Sequence, residues 1–248
     1  MTDSVTMLRR NLLHALRYPG MTISGLAMPI LMLLLFVFVF GGALGAGLSG
    51  GAYVDYVTPG IILMAATSGS MATAVGVCVD MTEGIINRFR TMAISRASVL
   101  TGHVVGGVIQ TMISIVLLIG VALLTGFRPT AGVLGWLVAL GLLALLTFGL
   151  TWMAAALGLV TKTAESASNA ALPLQFLPFL GSAIVPPESM PAGVRWFAEY
   201  QPFTPIIETL RGLLMGTPVG TTGLVAVAWC LGLALIGYVW ARARFNRA

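Results

Sequence analysis

Charged residues divide this chain into six long uncharged runs, at 18–54, 56–79, 97–127, 129–161, 166–187 and 212–241. Each has at least the roughly 20 residues that a helix rising ~1.5 Å per residue needs to cross ~30 Å of hydrocarbon. Continuous apolar runs argue against a transmembrane barrel, whose strands are ~10-residue segments of alternating polarity. With 58% hydrophobic and 8% charged residues over 248 positions, and a mean hydropathy of +0.97, the chain has too little polar surface to cover a soluble domain. The expectation is an all-α polytopic membrane protein with six transmembrane helices, about 22–41, 57–79, 100–125, 132–160, 167–185 and 221–241.

Six crossings place both termini on one side, and the basic residues say which. Arg9, Arg10, Arg17, Arg88, Arg90, Arg96, Lys162, Arg242, Arg244 and Arg247 share the terminal side, ten of the thirteen basic residues, leaving Arg128, Arg195 and Arg211 opposite. The positive-inside rule predicts cytoplasmic N and C termini. This bias accounts for the net charge of +5, and short juxtamembrane clusters do not make a nucleic-acid-binding face. The small residues of "GGALGAGLSGG" resemble a signal-cleavage site. The apolar run before them, 21–40, exceeds the ~7–15 residues of a signal-peptide core, so it reads as an uncleaved first span. Cys78 and Cys230 fall inside spans, near the cytoplasmic side by this topology, where neither a disulfide nor a metal site is expected.

Three connecting segments have character of their own. In 5–18, Val5, Leu8, Leu12, Leu13 and Leu16 recur at helical spacing against Arg9, Arg10, His14 and Arg17, the pattern of an N-terminal interfacial helix. Pro173 and Pro178 are expected to kink or interrupt span five. The segment 186–217 is too short for another pair of crossings and reads as two short re-entrant outer helices. Ser189 and Pro191 suit one helix start, and Thr204 as N-cap with Pro205 suits the other. Arg195/Glu199 and Glu208/Arg211 have the spacing of helical ion pairs, while Trp196, Phe197 and Tyr200 suit a membrane interface.

Catalytic chemistry finds little support. Two histidines, His14 and His103, exclude a multi-histidine metal site, and the sole lysine, Lys162 in "GLVTKT", lacks the glycine of a phosphate-binding loop. Asp55 and Asp80 lie at the ends of span two, and Glu165 and Glu188 flank span five, so no carboxylate occupies a mid-span position. Energy for any transport is expected from another subunit.

The stretch "EGIINRFRTMAISR" at 83–96 concentrates charge between two apolar runs. Ile85 or Ile86, Phe89, and Met92 or Ala93 form an apolar ridge beside Arg88, Arg90 and Arg96, and Glu83 suits the helix start. The pattern fits helix-in-groove recognition by a partner, and equally an interfacial helix whose arginines mark topology.

Several blocks resemble the permease subunits of bacterial ABC transporters of the type-2 class, closest to the daunorubicin-resistance-type drug exporters. They are "PGIILMAATSGSM", "DMTEGIINRFRTMAISRASVLTGHV", "LLTGFRP" and, most specifically, "LPLQFLPFLGSAIVPPESMPAGVRWFAEYQPFTPIIETLRGLLMG" at 172–216. One departure is Ala93, where such permeases often carry a proline.

The resemblance implies one transmembrane domain over 1–248 in a bacterial plasma membrane, pairing with a second permease copy or a related permease. It implies two separate cytoplasmic ATPase subunits that bind ATP and Mg, with no cofactor, metal or catalytic residue in this chain. The coupling helix then maps to 82–96, with Glu83, Ile86, Arg88, Phe89, Arg90, Met92 and Arg96 facing the ATPase. The substrate path maps to the dimer interface, lined by spans two and five, with Thr67, Ser70, Asn169 and Phe176 as candidates, although small polar residues on helices equally serve close packing. The function so implied is ATP-driven export of a hydrophobic or amphipathic drug, antibiotic or lipid. Alternatives are a polysaccharide or lipid-linked glycan exporter, or a non-transporting membrane scaffold.

Overall fold

The computed structural model describes residues 19–45, 52–82 and 96–245, with side chains from 26 in the first segment and from 100 in the last. The interfacial helix 5–18 and all but the edges of the coupling helix 82–96 lie outside the described residues. Within them the chain is all-helical. Helix α1 (Pro19–Leu34) runs into a π-helical stretch, Leu35–Val39, closed by the Phe40 amide on the Leu35 carbonyl at 3.2 Å. A short α2 (Gly41–Gly45) follows. Then come α3 (Tyr53–Thr82), α4 (Arg96–Leu124), α5 (Val133–Val160), α6 (Ala164–Phe176), α7 (Ala192–Tyr200), α8 (Phe203–Met215) and α9 (Gly220–Phe245).

Four helices, α3, α4, α5 and α9, are long and apolar enough to cross a membrane, and they coincide with predicted spans two, three, four and six. Spans one and five are not single long α-helices. Pro29 sits inside α1, whose described apolar part, Leu26–Val39, ends in the π segment. α6 contains Pro173 and stops at Phe176, where Pro178 opens a 3-10 turn, Leu177–Leu180. A proline removes a backbone donor and crowds the carbonyl one turn earlier, so regular α-helix is hard to sustain through both positions.

α3 is the central pole: 67% of its most apolar window is buried against the rest of the chain, against 22% for α9. It contacts α1, α4, α5, α6 and α8, whereas α9 packs mainly on α5 and α8. Glycines allow the close crossings. A Cβ at Gly158 of α5 would collide with the Ala74 carbonyl of α3, and one at Gly237 of α9 would lie 2.7 Å from the Met153 amide nitrogen of α5. The main apolar core runs from Tyr53 through Ile61, Leu63 and Leu118 to Leu146 and Ile206. Both cysteines are buried free thiols; Cys78 lies near the Thr82 end of α3, but Cys230 lies at mid-helix against Gly149, not near an end.

One local expectation is corrected. α8 begins at Phe203 behind Pro202, and Thr204 does not cap it; its hydroxyl donates to the Ala198 carbonyl at 2.5 Å, tying α8 back to α7. Thr163, in the three-residue link after α5, caps α6 instead, in a reciprocal capping box with Ser166. α8 ends at Gly216, whose φ of +67° is the left-handed conformation that favours glycine as a helix stop.

Candidate functional site

Polar side chains gather at four places: on α3 where it meets α5, along the outer face of α6, and at each of the two ends of α3. On α3, Thr67 and Ser70 are each 3% exposed. Their hydroxyls donate to the carbonyls of Met64 at 2.8 Å and Ala66 at 2.9 Å, and Ser70 also lies 3.5 Å from the Thr151 hydroxyl of α5. Thr151 in turn donates to the Thr147 carbonyl at 2.6 Å. These groups therefore sit within the helix packing, with their donors used on backbone one turn earlier.

α6 presents a different surface. Ala167 and Ala171 are buried, while Glu165, Asn169, Leu172, Pro173, Phe176 and Leu180 are exposed along its opposite side. Phe176 is 56% exposed, with its ring centroid 6.0 Å from that of Phe179. Of the four candidates for a substrate path, the fold thus turns Asn169 and Phe176 outward on one face and keeps Thr67 and Ser70 inside. Of the coupling candidates, Glu83, Ile86, Arg88, Phe89, Arg90 and Met92 lie outside the described residues, and Arg96 opens α4.

The Tyr53 end of α3 is densely tied. The Arg128 backbone amide donates to Asp55 Oδ1 at 3.0 Å, and the Tyr53 hydroxyl donates to the Ile184 carbonyl at 3.0 Å. Thr130 donates to the Met215 carbonyl at 2.6 Å, and the Ala131 amide to the Leu214 carbonyl at 3.1 Å. Arg195 and Glu199 pair at 2.6 Å as their spacing predicts. Arg211 and Glu208 do not pair. Arg211 turns inward, where Nε and Nη2 donate to the Tyr56 carbonyl at 3.3 and 3.2 Å, and Nη2 donates to the Ser182 carbonyl at 2.7 Å. Its guanidinium carbon stands 3.8 Å from the centroid of the Tyr56 ring. Two carbonyls and an aromatic face win over one carboxylate three residues away. Burial lowers the Arg211 pKa from its ordinary value, and Tyr56 and Glu208 offset part of that.

At the other end of α3, Asp80 Oδ2 meets His103 Nε2 of α4 at 2.8 Å, and the Cys78 thiol donates to the Thr161 carbonyl at 3.5 Å. Sequence reasoning placed Asp80 at a span end and used His103 only to exclude a metal site. The two flank a connection between antiparallel helices, one within a turn of the end of α3 and the other two turns into α4. That placement brings such positions face to face.

Residues 2–215 match the ABC-2 type transporter family. The chain is 28% identical over 233 residues to the daunorubicin resistance ABC transporter permease protein DrrB1 of Streptomyces coeruleorubidus, covering 94% of this chain and 79% of that one. It is 25% identical over 226 residues to a probable doxorubicin resistance ABC transporter permease protein, DrrC, of Mycobacterium tuberculosis, covering 91% and 82%. A putative transport permease, ycf38, of Porphyra purpurea is 25% identical over 228 residues, covering 90% and 78%. The buried α3 pole, the apolar helices around it and these matches together make the chain a membrane-spanning permease subunit of the ABC-2 type transporter family.

Proposed function

We propose that this permease, driven by two separate cytoplasmic ATPase subunits, exports hydrophobic or amphipathic compounds across a bacterial plasma membrane, along the exposed face of α6. The observation that carries the reading is that face, where the Asn169 amide, the Phe176 ring and Leu172 and Leu180 stand in one stripe that no other described helix covers. Polar groups on a mostly apolar surface, here the Asn169 amide with Glu165 one turn before it, are costly in hydrocarbon unless something meets them. A second permease copy across that face would enclose a route with its polar contacts at the Glu165 end and apolar ones beyond, suited to an amphipathic cargo. The drug-resistance names of the relatives favour such a cargo. Thr67 and Ser70 are assigned to the helix packing behind the route, where α3 meets α5.

Six crossings remain the proposed topology. α1 with its π segment continues over 16 and 5 residues. α6 with its 3-10 turn, 13 and 4 residues, reaches roughly 28 Å if the two are coaxial. Arg128, Arg195 and Arg211 lie at the α7–α8 end, and Arg96, Lys162, Arg242 and Arg244 at the opposite end, which supports cytoplasmic termini and an outer α7–α8 pair. Residues 82–96 are then the coupling helix, which engages the ATPase through Phe89, Arg88 and Arg90.

The test is ATPase activity in vesicles holding this chain and its ATPase. Daunorubicin-like amphipathic cations should stimulate hydrolysis and accumulate in the vesicle lumen in inside-out preparations. Hydrolysis indifferent to every such compound overturns the cargo. Phe89→Ala and Arg90→Glu should abolish stimulation while leaving membrane insertion intact; unchanged export in both would remove 82–96 from coupling.

A further inference from the structure

The turn 181–184 closes the Leu180 end of the α6 stripe, and three contacts from other segments hold it. Ala183 packs so closely on Gly60 that a Cβ there would lie 2.5 Å from the Ala183 carbonyl oxygen. The Tyr53 hydroxyl bonds the Ile184 carbonyl, and Arg211 bonds the Ser182 carbonyl. The first two come from α3. Arg211 comes from α8 and also grips the Tyr56 carbonyl, so its guanidinium joins α8, α3 and the turn.

Among the described residues no carboxylate lies within 4.0 Å of Arg211. A largely buried cation held only by carbonyls and a ring is poised, because losing one bond leaves a desolvated charge underpaired. An alternative partner is near: Glu208 sits one turn earlier on the same helix and is exposed. Partial desolvation raises the Glu208 carboxyl above its ordinary range, an effect that Arg211 only partly offsets. Lysine cannot replace the arrangement, since one ammonium on a flexible stem neither bridges two carbonyls as a planar fork nor stacks on Tyr56 in the same way.

Resting on the export reading above, we propose that Arg211 is a positioning residue that latches the 181–184 turn shut over the outer end of the α6 route. Its exchange from the Tyr56 and Ser182 carbonyls to Glu208 frees the turn during each transport cycle.

The test uses the full chain with its ATPase in sealed vesicles of outward-facing orientation, ATP supplied inside, in a Cys78→Ala, Cys230→Ala background. Ser182→Cys is the reporter, at a side chain that is 0% exposed, and Tyr200→Cys is the control, at one that is 68% exposed. A membrane-impermeant maleimide is added outside. Tyr200→Cys should label rapidly with or without ATP. Ser182→Cys should label slowly at rest and about tenfold faster during hydrolysis, the scale of one charge-assisted hydrogen bond. Adding Arg211→Lys should give the fast rate without ATP, and adding Glu208→Gln should blunt the ATP-driven rise. Ser182→Cys labelling that ignores ATP while Tyr200→Cys labels overturns the latch and leaves the export reading standing. Failure of Tyr200→Cys to label from outside overturns the outward placement, and the latch with it. Should Arg211→Lys fail to accumulate, the ATP dependence with Arg211 intact still decides.

Discussion

α3 and α6 pack side by side and treat their polar side chains in opposite ways. On α3, Thr67 and Ser70 lie inside and spend their hydroxyls on backbone carbonyls one turn away. On α6, Asn169 faces outward and its side-chain amide makes no hydrogen bond with any described residue. The difference separates polar groups that belong to the packing from one that is left available. A serine bonded to its own helix has little to offer a cargo, whereas an unbonded amide between Leu172 and Glu165 does.

The comparison breaks most severely if α3 loses its fit. Gly158→Leu drives a side chain into the Ala74 carbonyl, and overpacking of this kind costs about 1–3 kcal/mol or more. The variant should fail to accumulate in membranes, as read by immunoblot and by a lost monodisperse peak in detergent. A wild-type level would mean that α3 and α5 are not held as closely as described.

Next in size, Phe176→Ala and Asn169→Leu should leave accumulation intact and change the relative transport of two amphipathic drugs on the order of tenfold. Identical rank order in both variants, measured by uptake into inverted vesicles, would make the α6 stripe a packing surface like that of α3. Ser70→Ala should move thermal stability by less than about 1 kcal/mol and leave drug preference untouched, since the lost bond is local and its net worth small. A changed drug preference there would erase the distinction between the two helices. Smallest of all, Arg195→Gln removes an exposed pair with Glu199 and should alter neither accumulation nor export.

Much of this organisation was legible in the residues. Uninterrupted apolar runs located α3, α4, α5 and α9 closely, because a span must be apolar along its whole length. Asn169 and Phe176 stood among the candidates that the family resemblance implied, but their shared exposure on one face of α6 came only with the fold. The interruption of span five was legible from Pro173 and Pro178. α1 was harder, because its run is long enough to span but Pro29 and the π stretch lie where hydropathy is blind to the path of the backbone. Arg211 shows a further boundary. Spacing pairs it with Glu208, but only the fold brings the Tyr56 ring and the Ser182 carbonyl to the same guanidinium. Thr204 likewise has the right type and place for a cap, yet the helix starts behind Pro202, two residues earlier.

The glycine contacts between α5 and α9 bear on how the chain is assembled. α9 meets α5 through Gly149 and Gly237, although 161–219 separates them in sequence. A chain grows from its N-terminus, so α5 enters the bilayer with that furrow unfilled and keeps it so while all of 161–219 is made. α9 thus fills the furrow only once 161–219 has been made, and a ribosome halted before Gly220 would leave the furrow open on α5.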